Sequence, residues 1–370
     1  MNNLNKRAQS YLTRYVFLFI CSVLYNLEAN TSNFLLSGHA DFTYISRLSD
    51  QSIIDIPYRI SSIEFNHQRD HISLYGNLAL EYQIRGSNYY LSSKDPQDFK
   101  IDLRELYTTF NSNFFEFRVG KQIHSWGNVD DNSPLDNASA IDYYYIFFPG
   151  KERKIATFSG SIDFYFKSLS LQAVISPLHN TNRIPLGDDD FPVELPVVPE
   201  KSNMMPIKGS GFEKGLYASY PFNSGEFSCS YFSGYDRNYN HSGVNVYGKG
   251  SDLSFTNIDI LYGYRKTETY GFGGVLLNRL FNIRFDIGYF STKDINDSTD
   301  FIVRESINTP VFYDSLHFAY PLREKSTYIQ KTFQFETELP LNINLLAQYF
   351  THDTLSVSYT HLTLPTKRIV

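Results

Sequence analysis

The sequence predicts an all-β fold: an antiparallel transmembrane β-barrel with roughly a dozen to 14 strands present, truncated at its C-terminus. Three observations carry this prediction. Apolar residues recur at every second position over runs longer than ordinary globular strands. Short turns alternate with long polar loops between these runs. An export signal is followed by no apolar stretch long enough for a membrane helix, and lipid then leaves a closed barrel as the way to satisfy backbone groups.

At the N-terminus, Lys6, Arg7 and Arg14 precede an apolar run from Tyr15 to Tyr25. The run falls short of the roughly 20 residues that span a bilayer, but it fits the core of a secretory signal. The signal is predicted to cover residues 1–29, with cleavage after Ala29. A lipoprotein signal ending at Cys21 is the competing reading, and bulky Ile20 counts against it. The whole chain carries 33 basic and 39 acidic residues; removing three basic residues and one acid with the signal leaves 30 and 38, a net charge of −8. That balance gives no support to a nucleic-acid partner. Cys229 would be the one remaining cysteine, so no intramolecular disulfide is expected. The 29 Tyr and 31 Phe suit strands with aromatic rims.

The barrel is predicted over residues 30–356. Ile72, Leu74, Gly76, Leu78, Leu80, Tyr82 and Ile84 occupy one face of a run whose other face holds Ser73, Asn77, Glu81 and Arg85. At about 3.3 Å per residue this run extends roughly 40 Å, the length of a tilted membrane strand. The pattern recurs in Phe158, Ile162, Phe164 and Phe166, in Phe281, Ile283, Phe285, Ile287 and Tyr289, and in Ile329, Phe333, Phe335 and Leu339. Lys331 is the one charge on the last of these apolar faces. Short connections are expected at Lys167-Ser168, Asn223-Ser224-Gly225, Asn278-Arg279 and Pro340. Segments 124–154, 177–214, 238–253 and 292–326 read as long external loops.

With the apolar sets facing lipid, Glu81, Arg85, Glu116, Arg118, Asp163, Arg284, Asp286 and Glu336 are predicted to line the lumen. The opposite orientation would place Arg or Lys in lipid, at about 2–4 kcal/mol each near the midplane. Such charges either tune ion selectivity or pair with one another and fill the interior. Residues 103–136 form the most distinctive stretch: two strands around an Asn111-Ser112-Asn113 turn, then a loop with Trp126, Gly127, Asp131, Pro134, Leu135 and Asp136. Residues 126–145, dense in aromatic and acidic side chains, are predicted to fold into the lumen as a constriction.

Candidate chemical sites are few. Asp130, Asp131 and Asp136 lack EF-hand spacing and read as a solvated loop, as do Asp188, Asp189 and Asp190. His67 and His71 lack the Glu and helical setting of a zinc motif, and Ser159 and Ser161 around Gly160 read as strand. No catalytic residues, metal or cofactor are expected, and an enzyme is not.

The order Leu103-Arg104-Glu105, Arg118-Val119-Gly120-Lys121-Gln122, Trp126-Gly127, Asp131 and Pro134-Leu135-Asp136 resembles a porin-like family of Gram-negative outer-membrane proteins of unknown function. Ile175-Ser176-Pro177, Arg183-Ile184-Pro185 and the segment from Tyr231 to Asp236 extend the resemblance. Asn132 departs from it where the family often has Gly, and residues 138–142 replace its Asn-Pro. The resemblance implies a passive outer-membrane channel for small solutes, with outer-membrane lipid and the barrel-assembly machinery as partners; it implies no particular oligomeric state. A transporter of hydrophobic substrates would need an apolar lumen and an N-terminal plug; a structural or enzymatic barrel without conductance is the other alternative. Residues 357–366 (VSYTHLTLPT) resemble a translated sequencing adapter, so residues 357–370 are expected to be non-native and the closing strands absent.

Overall fold

A computed structural model describes residues 33–42, 45–52, 54, 58–82, 99–146, 148, 150–185, 204, 207, 211–249, 254–294, 315–321, 324–341 and 343–358. The signal segment, Arg85, Asp188 to Asp190 and residues 359–370 lie outside them.

Where the sequence alternates, the chain forms strands. β1 (Asn33–Ala40), β2 (Tyr58–Arg69), β3 (Ile72–Tyr82), β4 (Phe99–Asn111) and β5 (Phe115–Gln122) form the first part of one sheet. After the small strands β6 (Ala140–Ile141) and β7 (Lys154–Ile155), it continues through β8 (Thr157–Phe166), β9 (Leu169–Ser176), β10 (Glu213–Phe222) and β11 (Gly225–Tyr235). It then runs through β14 (Lys266–Leu277), β15 (Phe281–Lys293), β17 (Lys325–Leu339) and β18 (Ile343–Ser358). These 13 strands pair antiparallel in chain order, so the main sheet falls within the predicted strand number. Val357 and Ser358, at the start of the adapter-like segment, lie within β18 opposite Ser326 and Lys325.

At one end of the sheet all connections are tight, as between Arg69 and Ile72, Phe166 and Leu169, Phe222 and Gly225, and Leu339 and Ile343. At the other end they are long. Three segments read as plain loops contain strands: β6 lies in 124–154, and two strands of a second sheet lie in 238–253 and 292–326. β12 (Asn240–Lys249), β13 (Ser254–Gly263) and β16 (Ser315–Pro321) form a separate three-stranded sheet in the long-loop region. Their mixed polarity hid a strand pairing that is set by partners distant in sequence.

Burial in the main sheet is inverted relative to a soluble protein. Exposed apolar side chains such as Phe117, Phe164, Leu216, Phe272 and Phe333 cover one face, and Asn77, Ser161, Thr269, Asp286 and Gln334 are buried on the other. This places the apolar sets outward and the polar sets inward, as alternation demands. The outward Lys331 pairs with Asp353 of β18 at 2.8 Å, so that face carries an ion pair and not a lone cation. The sheet also curls. β3 and β18 are ten strands apart, about 48 Å if laid flat at 4.8 Å spacing. Yet the segment 123–145 bonds both: Tyr145 to Glu81 at 3.0 Å, and the Asp131 carbonyl to Gln348 at 2.8 Å. The polar face therefore wraps around this segment.

Candidate functional site

The site is the interior segment itself together with the wall that receives it. It leaves β5 at Gln122 and is fixed at once by a bulge in β4. Asn77 pairs with Glu105 but Leu78 pairs with Leu103, so Arg104 is an extra residue and both Arg104 and Glu105 are buried. A bulge re-aims side chains in this way. Glu105 then accepts from the Ile123 N–H at 2.9 Å, and Arg104 donates to Glu152 at 2.6 Å. Gly120 has φ +140°, and a Cβ there would strike the Leu106 carbonyl, so the strand tolerates only glycine at this point.

Beyond Ile123 the segment crosses the wall on a row of glycines. Trp126 lies over Gly215, Leu135 over Gly271, Asn128 over Gly273 and Pro134 over Gly288; a Cβ at any of these glycines would meet the residue above it. Trp126 also stacks on Tyr217 (centroids 5.7 Å apart, 13° between planes) and donates its indole N–H to Gln172 at 2.6 Å. Leu135 is wholly buried. Gly127 has φ +101° and turns the chain where a side chain would strike Ser133. Asn132, where the resembled family often carries Gly, has φ 56°, a left-handed conformation that Asn tolerates.

Asp286 of β15 is the main anchor. Its Oδ2 accepts from the Asn128 N–H (2.8 Å), the Val129 N–H (3.1 Å) and the Ser133 hydroxyl (2.7 Å), and its Oδ1 accepts from the Asn128 amide (2.7 Å). Hydrogen bonds to a charged group contribute about 1.5–3 kcal/mol each, and leaving a buried carboxylate without them is costlier still. Gln334 adds a reciprocal pair, donating to the Asp130 carboxylate (2.7 Å) and accepting from its N–H (3.0 Å). Thr332 donates to the Asn132 carbonyl at 2.6 Å.

The eight predicted lumen charges fare differently. Arg118 bonds Asp163 at 2.6 Å and Glu116 at 3.1 Å, so three of them form one cluster on β5 and β8. Arg284 bridges Glu336 (3.1 Å) and the loop's Asp130 (3.3 Å). Glu81 bonds Arg183 at 2.8 Å, and Arg183 reaches Asp142 at 3.3 Å. Asp286 holds the loop, and Arg85 is outside the described residues. Six of the seven described charges are thus ion-paired, and Asp286 is held by uncharged donors. The loop acids are matched separately: Asp131 with Arg153, and Asp136 with Lys154. Among the described residues no group of three metal-ligating side chains occurs.

Sequence reasoning missed one contact. His124 Nε2 lies 2.9 Å from the Ser159 hydroxyl. Both residues are buried, His124 Nδ1 has no carboxylate partner, and burial pushes the His124 imidazole down to about 3. A nucleophile–base pair needs access and an oriented base, and this pair has neither. The pairing of β5 with β8, which sets Gln122 opposite Thr157, brings these two residues together although they stand 35 apart.

Among the described residues a cavity lies on either side of the segment. One, of about 420 Å³ at the short-turn end, is lined by Asp130, Arg279, Arg284 and Glu336 among others. The second, of about 440 Å³ at the long-loop end, is lined by Asn132, Pro134, Asp136, Asp236, Arg237, Phe290, Tyr328, Phe350 and neighbouring amide side chains.

No family model and no curated protein matches the chain. Solved structures do resemble it. It is 12% identical to OmpT, an outer membrane protein of Vibrio cholerae, covering 89% of each chain with a TM-score of 0.36. It is 8% identical to a mutant Rh. blastica porin, over 80% of this chain and 88% of that one with a TM-score of 0.30. Pseudomonas aeruginosa OccK1 is 9% identical, over 87% of this chain and 93% of its own, with a TM-score of 0.33. At these scores the likenesses add no detail to the site, whose geometry stands on the chain's own contacts.

Proposed function

We propose that this chain is a passive channel for small polar solutes in the outer membrane of a Gram-negative-type cell. The observation that carries the reading is the two-sided sheet: an apolar exposed face, a polar face turned inward, and a constricting segment with a polar cavity on either side. An apolar outer face without a transmembrane helix among the described residues suits a barrel wall in lipid. The inward face supports polar cargo over a hydrophobic substrate, because an apolar ligand would desolvate Asp130, Arg279, Arg284 and Glu336 in one cavity and Asn132, Asp136 and Arg237 in the other without replacement bonds.

The density of bonds on the constricting segment favours one second reading, a barrel filled by its own loop and closed to solutes. Planar-bilayer recording separates the two. Folded, heat-modifiable full-length protein is expected to give discrete channel events; correctly folded protein without events would support the closed barrel and overturn the channel.

A further inference from the structure

The outer face of the sheet carries a charge pattern of its own at the long-loop end. Lys266 of β14 stands directly opposite Lys293 of β15, and Lys293 stands directly opposite Lys325 of β17. All three are exposed, and alternation puts them on the outward face with Tyr270, Tyr289 and Ile329. Side chains opposite one another in an antiparallel pair lie about 4.5–5.5 Å apart at Cβ, where like charges are destabilising. Among the described residues no carboxylate pairs with any of the three ammonium groups. The acids next to them in sequence, Asp294 and Glu324, turn inward to Arg265 at 3.4 and 2.6 Å. Glu268, opposite Ser291, is the one acid among the outward residues of this stretch, so the patch stays cationic.

The row sits at a defined height on the wall. Four residues further along each strand come Tyr270, Tyr289 and Ile329 in mutual register, with Tyr231 beside Tyr270 at 5.2 Å between centroids. Beyond these the outward face is apolar, through Phe272 and Ile287 to Phe285 and Phe333, apart from the paired Lys331. The short-turn end of the same three strands shows Leu276, Ile283 and Phe335 in one register, with no lysine row. Aromatic girdles mark the membrane–water interfaces of a barrel, and long loops mark its external end. The lysines lie about 14 Å past the tyrosines along the strands, at about 3.4 Å per residue. That is the headgroup level of the outer leaflet, where a cationic row meets lipid phosphate.

Resting on the outer-membrane reading above, we infer that Lys266, Lys293 and Lys325 bind the phosphate groups of an acylated lipid, the phosphorylated glycolipid of the outer leaflet. Its chains lie along Tyr270, Tyr289 and Phe272. Native mass spectrometry of refolded full-length protein in neutral detergent, titrated with diphosphoryl lipid A, tests this without requiring conductance. Saturable binding is expected, with dephosphorylated lipid A bound far more weakly and equimolar inorganic phosphate unable to compete. Lys266→Gln, Lys293→Gln and Lys325→Gln each should weaken binding about fivefold, and the triple variant about a hundredfold. The triple Lys→Arg variant should retain it, and so should Lys331→Gln, whose lysine sits in the apolar belt. Heat-modifiable mobility verifies that each variant is folded, and the single variants carry the test if the triple glutamine variant does not fold. Lipid A that fails to bind folded wild type, equal binding of its dephosphorylated form, displacement by equimolar phosphate, or binding unchanged in the glutamine variants would overturn the inference. Protein that conducts but binds no lipid A loses the lipid site and keeps the channel; protein that binds but never conducts loses the channel and keeps the site.

Discussion

The two cavities on either side of the constricting segment are similar in size and opposite in chemistry. At the short-turn end, Arg284, Glu336 and Asp130 form a partly exposed ion cluster beside Arg279. At the long-loop end the charges are internally matched and the surface belongs to aromatic rings and amides. The same wall strands, β15 and β17, supply both: Arg284 and Glu336 toward the turns, Phe290 and Tyr328 toward the loops. One interior face can therefore carry two functions along its length. In the channel reading, the ionic end sets charge preference.

The largest expected effect comes from removing what separates the two. Replacing residues 128–133 with a Gly-Ser bridge should raise single-channel conductance several-fold, because these residues occupy the space between the cavities. An unchanged conductance would mean that solute takes a path that avoids them. Asp286→Ala should come next. It strips four bonds from the segment, and orphaned buried donors cost about 1–3 kcal/mol each. Hydrogen exchange at Asn128 and Val129 is expected to accelerate at least tenfold while the strands remain protected. Exchange as slow as in wild type would remove Asp286 as the anchor.

Charge preference offers a smaller and more local test. Arg284→Glu would set a third acid beside Asp130 and Glu336, so the reversal potential in a salt gradient should move toward cation preference. Arg118→Glu should move it less, since Arg118 sits in a cluster with Asp163 and Glu116 away from either cavity's lining. Equal shifts from the two variants would erase the distinction between the cavities.

The smallest effect concerns pH at the long-loop end. Burial pushes the Asp236 carboxyl up to about 6, against the opposing hydrogen bond from Thr267. Its folded value lies above its unfolded one, near 3.9. The stability it contributes is therefore fully present below about pH 4 and is lost as pH rises through about 6. Relative to Asp236→Asn, wild type should lose thermal stability between pH 4 and 7; parallel profiles for the two proteins would contradict the raised value.

Much of this was legible in the sequence, for identifiable reasons. Alternation is local, so the inward and outward faces of β3, β8, β15 and β17 could be read directly, and Glu116 and Arg118 were placed on the polar face. Trp126, Gly127, Pro134, Leu135 and Asp136 stood out because their order resembles that of a porin-like family, whereas Asp136 was read as part of a solvated loop and is in fact paired with Lys154. What could not be read depends on register across the whole sheet. Gly215, Gly271, Gly273 and Gly288 sit in three strands, β10, β14 and β15, with nothing in common until the sheet curls and the segment lies on them. The pairing of Arg284 with Asp130 joins positions 154 residues apart. The bulge at Arg104 shifts one residue, which no period-two pattern announces. Strands β12 and β16 were read as loop because their pairing lies outside the wall whose alternation was being followed.

The central claim is that the segment is a fixed constriction of an open channel and not a gate or a plug. Asn128 and Ser228, whose side chains meet at 2.7 Å, provide the means to test it. In a Cys229→Ser background, Asn128→Cys with Ser228→Cys should oxidise to a disulfide that ties the segment to the wall. Single-channel recording before and after oxidation should show events of the same amplitude. Events that vanish on oxidation and return on reduction would show that the segment must leave its seat for solute to pass, and would contradict the account.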